Sequence, residues 1–317
     1  MTITNIEWTE RTWNPVLGCT KISEACRHCY AETQAIRLHY IGEVSAWKNP
    51  EYMTCVDADG WTGKIELVEH RLDEPDKWPA CMIFVPSMGD LFHPGVPFAY
   101  VDRVMATVVR NPQHIFQLLT KRPDRMLEYW RTWQEFGFLR VMKLAGKTSF
   151  QNPWVDPLPN LWGGCTIENN KAARDRIFYF LKIPLAISFL SLEPLLERVK
   201  LQLRPDAENC LACGDIGHQL WECHHTSHRM PSWIIMGGEN GQRARPTHPD
   251  WFRYTRDETL EARVPTALFF KGWGRWSPDI PTNRKHTFDD GTVVYKHRSR
   301  KISGRKLDGV EWNQYPI

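Results

Sequence analysis

The sequence predicts an α/β fold, a full or partial (β/α) barrel, on three observations. Short apolar runs rich in β-branched and aromatic residues alternate with longer segments of mixed polarity. Each run is almost continuously apolar, which is typical of parallel strands covered by helices. The 317 residues suffice for one large barrel or for two smaller domains.

Six apolar runs are the predicted strands: Met82–Ser87, His114–Thr120, Leu161–Thr166, Ala186–Leu192, Trp233–Met236 and Ala267–Lys271. The predicted helices between them are Ala99–Arg110, Pro123–Phe136, Lys171–Leu181 and Pro249–Ala262. Alternation of this kind indicates repeated β–α units around a parallel sheet.

Three stretches depart from this rhythm. Arg140–Pro159 is expected to be a long excursion between two β–α units, and residues 204–231 are a Cys/His-rich insertion before the strand WIIM. The basic tail from Asp279 is expected to add a β-hairpin. We therefore expect a barrel over residues 1–275 and a C-terminal extension over residues 276–317.

Composition places few limits on function. Hydrophobic residues make up 42% and charged residues 24%, and the net charge of +3 permits a nucleic-acid partner without demanding one. The first residues lack the apolar run of a signal peptide, and no segment approaches the roughly 20 apolar residues that cross a bilayer. We expect a cytoplasmic protein, in the host cytoplasm if a phage encodes it, without a membrane partner.

Nine cysteines in a reducing compartment indicate metal ligands and bystanders rather than disulfides. Cys19, Cys26 and Cys29 follow the spacing C-x6-C-x2-C, and three thiolates on a four-iron cluster leave one iron open for a substrate or cofactor. A structural zinc site with His28 or a distant residue as fourth ligand is the alternative. The isolated cysteines, Cys55, Cys81 and Cys165, are expected to be buried and inert.

The triad, followed directly by Tyr30, resembles the cluster loop of the radical S-adenosylmethionine (SAM) superfamily. The usual spacing there is C-x3-C-x2-C, so this loop is three residues longer. The chain is more similar to a phage-associated three-cysteine-motif family of largely unassigned function. The similar blocks, which run from Ile6 to Gly309, include IEWTERTWNPVLGCTKISEACRHCYAE, SMGDLFHPGVP, LLTKRP, PLPNLWGGCTIEN, FLSLEPLL, WIIMGGENG, FFKGWG and GRKLDG.

The resemblance implies a partial (β/α)6-type radical SAM barrel with a 4Fe-4S cluster, SAM as cofactor and an electron donor of flavodoxin or ferredoxin type. Substrate and SAM are then expected at the carboxyl ends of the strands. The residues expected to bind the cofactor there are Ser87, Gly89, Asp90, Glu168, Ser191, Gly237, Gly238 and Glu239. The predicted catalytic residues are Lys121 and Glu193, and Lys121 or Arg122 is a candidate partner for the SAM carboxylate or a phosphate.

The insertion contains a second group of potential metal ligands: Cys210, Cys213, Cys223 and His224. Four N/S ligands of this kind suit zinc, and an auxiliary iron–sulfur cluster is the alternative. An exposed loop with incidental histidines is the third interpretation.

The family resemblance favours a nucleic-acid or nucleotide substrate. The specific hypothesis is hydrogen-atom abstraction that leads to rearrangement or modification of a hypermodified pyrimidine of phage DNA, with isomerisation as one form of the reaction. Two alternatives stay open: a DNA repair lyase similar to spore photoproduct lyase, and a non-catalytic, zinc-stabilised protein that binds nucleic acid or a protein partner.

Overall fold

The computed structural model describes residues 4–44, 50–147, 158–203, 230–262 and 264–316. The strands are β1 (Arg11–Thr12), β2 (Val16–Leu17), β3 (Val56–Asp57), β4 (Gly60–Trp61), β5 (Glu66–Leu67), β6 (Met82–Val85), β7 (Ile115–Thr120), β8 (Leu161–Thr166), β9 (Ile187–Leu192), β10 (Trp233–Gly237), β11 (Ala267–Gly272), β12 (Trp276–Ser277), β13 (Lys285–Thr287), β14 (Val293–Lys296), β15 (Lys306–Leu307) and β16 (Val310–Glu311). The α-helices are α1 (Tyr30–Val44), α2 (Tyr52–Cys55), α3 (Phe98–Arg110), α4 (Pro123–Thr132), α5 (Phe138–Leu144), α6 (Asn170–Phe180), α7 (Pro249–Leu260) and α8 (Arg300–Ser303).

Seven strands form one sheet in the order β1-β6-β7-β8-β9-β10-β11. The pairs β1–β6, β6–β7, β9–β10 and β10–β11 are parallel. Each of the six predicted strands is confirmed within two residues at either end, and the α/β class is confirmed. The sheet also contains β1, which is only two residues long and is too short to be found from an apolar pattern.

The helices differ from the prediction in one region. The predicted helix Pro123–Phe136 ends as an α-helix at Thr132 and continues as a π-helical turn, Trp133–Gly137, into α5. The predicted excursion Arg140–Pro159 begins inside α5, where Arg140 donates from Nε to the buried Asp102 at 2.8 Å. Residues 148–157 lie outside the described residues.

The chain divides into two compact units. Unit 1 comprises Met1–Ile22, Cys29–Gly164 and Ile183–Ala186, and unit 2 comprises Ser23–His28, Cys165–Lys182 and Ile187–Ile317. The cysteine loop therefore contributes its ends to unit 1 and its middle to unit 2.

Unit 1 has an aromatic core beneath β6 and β7. Trp13 and Phe116 are fully buried with ring centroids 5.8 Å apart, and the Trp13 indole donates to the carbonyl of Arg71 at 2.7 Å. A neighbouring cluster of buried residues around Tyr52, against which Cys29 packs, includes Leu17, Ala31, Ala35, Cys55, Val56, Val68 and Met88. This packing gives the ends of the cysteine loop a rigid base.

Unit 2 is built around Trp233, which contacts Phe189 and Phe269 from the neighbouring strands. The predicted C-terminal hairpin is confirmed: β13 and β14 are antiparallel and belong to a three-stranded sheet in the order β12-β14-β13. Among the described helices, none combines the length and the apolar character needed to cross a bilayer.

Candidate functional site

The cysteine loop lies between the first strand of the large sheet and α1. Cys19 follows Gly18, Cys26 ends a 3-10 turn at Glu24–Cys26, and Cys29 directly precedes α1. Cys26 is buried, whereas Cys19 and Cys29 are partly exposed. None of the three thiols of this loop is fully exposed.

In unit 1, the backbone before Cys19 runs directly against the turn after β6. Gly18 donates its N–H to the Met88 carbonyl at 3.1 Å, and Gly18 and Gly89 form a parallel bridge. A Cβ atom on Gly89 would lie 2.8 Å from the carbonyl oxygen of Val16, so only glycine fits there without a shift of the backbone. Gly89 therefore fixes the start of the cysteine loop through backbone contact.

The side chains of Asn14 and Tyr30 form hydrogen bonds with the backbone of this turn. Asn14 Oδ1 accepts the N–H of Ser87 at 2.7 Å and of Met88 at 2.9 Å, and the Tyr30 hydroxyl donates to the Ser87 carbonyl at 3.1 Å. Tyr30, which follows the third cysteine, thus ties the first turn of α1 to the segment predicted to bind SAM.

Asp90 is buried and joins this segment to the end of β7. Its carboxylate accepts the Thr120 hydroxyl at 2.7 Å and the N–H of Lys121 at 3.1 Å. These hydrogen bonds bring two predicted site residues, Asp90 and Lys121, together at neighbouring strand ends.

Thr20, the residue after Cys19, is held by Arg122 and His93. Arg122 donates from Nη2 to Thr20 Oγ1 at 2.7 Å, and His93 Nε2 lies 2.9 Å from the same oxygen. Because His93 Nδ1 accepts the N–H of Gly95, the neutral ring carries its proton on Nε2 and donates it to Thr20. Burial, and then the charge of Arg122, lower the pKa of His93, which keeps this ring neutral.

In unit 2, Glu239 after β10 holds the segment Ser23–His28. Its buried carboxylate accepts the backbone N–H of Arg245 at 2.7 Å and Arg245 Nε at 2.9 Å, and it lies 3.3 Å from His28 Nδ1. Arg245 also donates from Nη2 to the carbonyl of Glu24 at 3.1 Å. This arrangement, which we call the Glu239–Arg245 clamp, ties both ends of the segment to the loop after β10.

The clamp is an ion pair. Burial alone would raise the pKa of the Glu239 carboxyl, but the hydrogen bonds and charge of Arg245, with a contribution from His28, outweigh it and lower that pKa. The same contact raises the pKa of Arg245. Glu239 is therefore a carboxylate at neutral pH.

The motif Gly237–Gly238–Glu239 has a structural basis in this loop. A Cβ atom on Gly238 would lie 2.1 Å from the carbonyl oxygen of Trp273, so the close approach of the two loops requires glycine. Glycine at this position lets Glu239 take its place in the clamp.

Two further predicted cofactor residues lie in the interior of unit 2. Glu168 is completely buried after β8 and pairs with Arg176 of α6, whose Nη1 lies 2.7 Å from Oε2. Ser191 of β9 is buried, and its carbonyl accepts the N–H of Ile167 at 2.9 Å. The structure thus places Glu168 and Ser191 in hydrogen bonds that fix the carboxyl ends of β8 and β9.

Glu193 and Lys271 form a partly exposed pair. Lys271 Nζ lies 2.7 and 2.9 Å from the two carboxylate oxygens of Glu193. Between them in the sheet is Gly237, where a Cβ atom would lie 3.4 Å from Lys271 Cβ and 3.6 Å from Glu193 Cδ. At these three adjacent strand ends, the carboxylate of Glu193 and the ammonium group of Lys271 therefore pair across a glycine that has no side chain.

A cleft of about 350 Å³ in unit 2 borders the clamp. Its lining comprises Glu24, Asn169, Leu196, Glu197, Arg245 and Pro246. Carboxylates and a guanidinium give it mixed charge, which suits a polar rather than an apolar ligand.

Among the residues that the structure describes, one group has three potential metal-ligand atoms within 4.8 Å of one another: His248, Asp250 and Asp290. Both ring nitrogens of His248 are engaged there. Nδ1 accepts the N–H of Asp250, so Nε2 carries the proton and donates to Asp290 at 2.9 Å. In this group, His248 is the N-cap of α7, and its hydrogen bond to Asp290 joins that helix to the C-terminal hairpin. The second predicted metal group, Cys210, Cys213, Cys223 and His224, lies outside the described residues.

The chain matches, over residues 3–316, the model of a family described as Protein of unknown function (DUF5131). The chain belongs to this family. Neither the curated proteins nor the solved structures yield a match.

Sequence reasoning missed three residues of this DUF5131 chain that bond, each within its own unit, the cysteine loop or a predicted site residue: His93, Arg245 and Lys271. Lys271 ends a predicted strand, and the rule that strand ends carry function applies to it. His93 and Arg245 lie in loops, where a single sequence contains no signal for their long-range partners.

Bystander cysteines follow the prediction in part. Cys55 and Cys165 are buried, and burial raises the pKa of the Cys55 thiol to about 11, which makes it inert. The expectation of full burial is wrong for Cys81, which is partly exposed and whose N–H donates to His114 Nδ1 at 3.2 Å.

We predict that Glu239→Gln loosens the segment Ser23–His28. Loss of a buried, charge-assisted contact costs about 1–3 kcal/mol, so the backbone amides of Cys26 and Arg27, which bond within this turn, should exchange about tenfold or more faster. Hydrogen exchange resolved to these amides measures this effect.

The matched control is Glu258→Gln, which alters another buried carboxylate of unit 2, one that accepts the N–H groups of Leu201 and Leu203.

Because the pKa of Glu239 is lowered in the folded state, its contribution to the free energy of unfolding is present above the ordinary carboxyl pKa of about 4.3. This contribution is lost as the pH falls through the folded-state value. The gap in unfolding free energy between wild type and Glu239→Gln should close in that range. Equal hydrogen-exchange rates of the Cys26 and Arg27 amides in Glu239→Gln and in the control Glu258→Gln would refute the clamp.

Proposed function

We propose that the protein is a radical SAM enzyme whose 4Fe-4S cluster is held by Cys19, Cys26 and Cys29. The observation that carries this proposal is the position of the three cysteines in one loop between the first sheet strand and the first long helix. The loop is followed along the chain by parallel β–α units, as the superfamily resemblance implies. The proposal includes the assignment of the seven-stranded sheet and its helices to a partial radical SAM barrel.

The donor set favours a cluster over a single zinc ion. A structural zinc site normally has two paired motifs of ligands, and no second cysteine pair lies near residues 19–29 in the sequence. Thiolates are the usual ligands of iron–sulfur clusters, and three of them leave one iron of a four-iron cluster open.

When bound, the cluster would supply the electron that cleaves SAM to methionine and a 5′-deoxyadenosyl radical, with a flavodoxin or ferredoxin type protein as the electron source. This chain's residues would position the reactants. We assign the backbone of Ser87, Gly89 and Asp90 to SAM, because this edge lies against Gly18 at the start of the loop. Glu239 and Glu168 act instead as positioning residues, because arginine partners bind their carboxylates.

We assign substrate contact to Lys121 in unit 1 and to Glu193 in unit 2. Both follow parallel strands at the carboxyl end, where sheets of this kind carry their active sites. The proposed substrate is a modified pyrimidine of DNA, rearranged after hydrogen-atom abstraction. A second metal, zinc or an auxiliary cluster, in residues 210–224 stays a prediction.

We expect Cys19→Ala, Cys26→Ala and Cys29→Ala each to lose the cluster, because two thiolates cannot hold it in place of three. After anaerobic reconstitution, iron and sulfide per chain should fall by the content of one 4Fe-4S cluster relative to wild type, and incubation with SAM and dithionite should yield no 5′-deoxyadenosine. Cys165→Ala, which changes a buried cysteine of β8, is the control and should retain both. A loop variant with full iron content that still forms 5′-deoxyadenosine would contradict the ligand assignment.

Glu193→Gln should separate substrate chemistry from SAM cleavage. It removes the charge that pairs with Lys271 but leaves the cysteine loop unchanged, so 5′-deoxyadenosine should still form while product falls about 100-fold, the range of a lost acid–base group. The assay uses DNA, nucleotides and nucleosides that contain hydroxymethylated pyrimidines, analysed by mass spectrometry.

Asp175→Asn, which breaks the exposed pair with Lys171, is the control and should leave the product yield unchanged. An unaltered product yield in Glu193→Gln would remove Glu193 from the site. Turnover of a peptide with none of any nucleoside, nucleotide or DNA would show that the substrate class is wrong.

A further inference from the structure

The C-terminal part of unit 2 concentrates positive charge. Residues 275–306 contain nine lysines and arginines against three aspartates, whereas the whole chain has a net charge of only +3. The described residues outside this segment contain arginines that are paired: Arg253 and Arg256, for example, both bind Asp308. The positive charge is therefore concentrated in this segment of the chain.

The antiparallel register of the small sheet β12-β14-β13 places some of these cationic side chains opposite one another on neighbouring strands. Trp276 of β12 lies opposite Lys296 of β14, and the N–H of Lys296 donates to the carbonyl of Arg284 at 2.8 Å at the start of β13. Neighbouring strands are about 4.8 Å apart, so these three side chains cross the sheet in one row. Arg298, which is exposed, follows the end of β14 two residues after Lys296 and adds a further cation next to this row in the sequence.

The charges in this row lack acidic partners. Within the described part of the chain, no carboxylate lies within salt-bridge distance of Lys296, Arg284 or Arg298, nor of the adjacent Arg275. Two of these cations donate to backbone carbonyls instead: Arg275 Nε to His297 and Lys296 Nζ to Gln242, both at 2.6 Å. Burial, followed by the charges of Arg275 and Arg284, lowers the pKa of Lys296. Like charges held together without a carboxylate partner favour the binding of an anion.

Aromatic rings lie among these cations. Lys296 Nζ is 5.4 Å from the centre of the partly exposed Trp276 ring, and the exposed His286 ring is 6.3 Å from the same indole. A cationic surface interleaved with aromatic rings is typical of proteins that bind single-stranded nucleic acid, where rings stack on bases and cations contact phosphates.

We propose that this surface, formed by Arg275, Trp276, Arg284, His286, Lys296 and Arg298, binds the phosphate backbone of single-stranded DNA. The inference deepens the proposed function, on which it rests for DNA as the substrate class. A base inside a duplex is out of reach of a radical, so a bound single-stranded segment is the form in which the substrate base is accessible.

The test measures binding of a fluorescently labelled 20-nucleotide single strand to the full chain by anisotropy, over a series of salt concentrations. The triple variant Arg284→Gln/Lys296→Gln/Arg298→Gln should bind about tenfold or more weakly, and the slope of log K against log salt should fall by about 2, since each lost phosphate contact on a single strand contributes about 0.7. In the double variant Arg284→Gln/Arg298→Gln, which changes only exposed side chains, the decrease in slope should be about two-thirds as large as in the triple variant.

The control is Lys171→Gln/Arg174→Gln/Lys200→Gln, which removes three exposed charges elsewhere in unit 2 and should leave the slope unchanged. A control that weakens binding as much as the triple variant would overturn the assignment. So would equal binding of a polyglutamate peptide, or equal competition by a duplex of the same length. Binding is measured without SAM or reductant, so failure here is distinguishable from failure of the radical chemistry, which 5′-deoxyadenosine reports.

Discussion

The ion pair between Glu239 and Arg245 determines where the middle of the cysteine loop lies in unit 2. Burying a carboxylate is unfavourable unless charge and hydrogen bonds compensate it, and Arg245 supplies both through its backbone N–H and its guanidinium. The same guanidinium reaches the Glu24 carbonyl, and the same carboxylate reaches His28. The position of Cys26 thus follows from a contact made more than 200 residues later in the chain.

Unit 1 uses a comparable arrangement for the start of the loop. Thr20 is bound by Arg122, whose guanidinium is buried, and by the neutral ring of His93. Asp90 connects the two elements that carry these residues, because its carboxylate binds both the hydroxyl of Thr120 and the N–H of Lys121. Charged residues at several strand ends therefore position the loop, whereas the Glu193–Lys271 pair and the Lys121 side chain remain partly exposed.

The sequence was sufficient for the large sheet because parallel strands buried on both faces appear as continuous apolar runs. The same criterion overlooks β1, whose two residues Arg11 and Thr12 contain no apolar signal, although it begins the sheet. Strand ends also identified Lys121, Glu168, Glu193 and Glu239 as polar positions worth examining. Their partners could not be predicted, since Arg176, Lys271 and Arg245 meet them through tertiary structure, and no spacing rule connects residues so placed.

The three additional residues between Cys19 and Cys26, compared with the usual radical SAM spacing, have a physical role in this structure. A loop with three intervening residues would end at Ile22 and would lack the 3-10 turn of Glu24–Cys26, through which Arg245 holds the segment. Doubling a loop costs only about 0.6 kcal/mol in closure entropy, whereas a hydrogen bond to a charged group contributes about 1.5–3 kcal/mol. The length of the loop therefore lets Glu24 reach Arg245, in addition to the contacts that Arg122 and His93 make with Thr20.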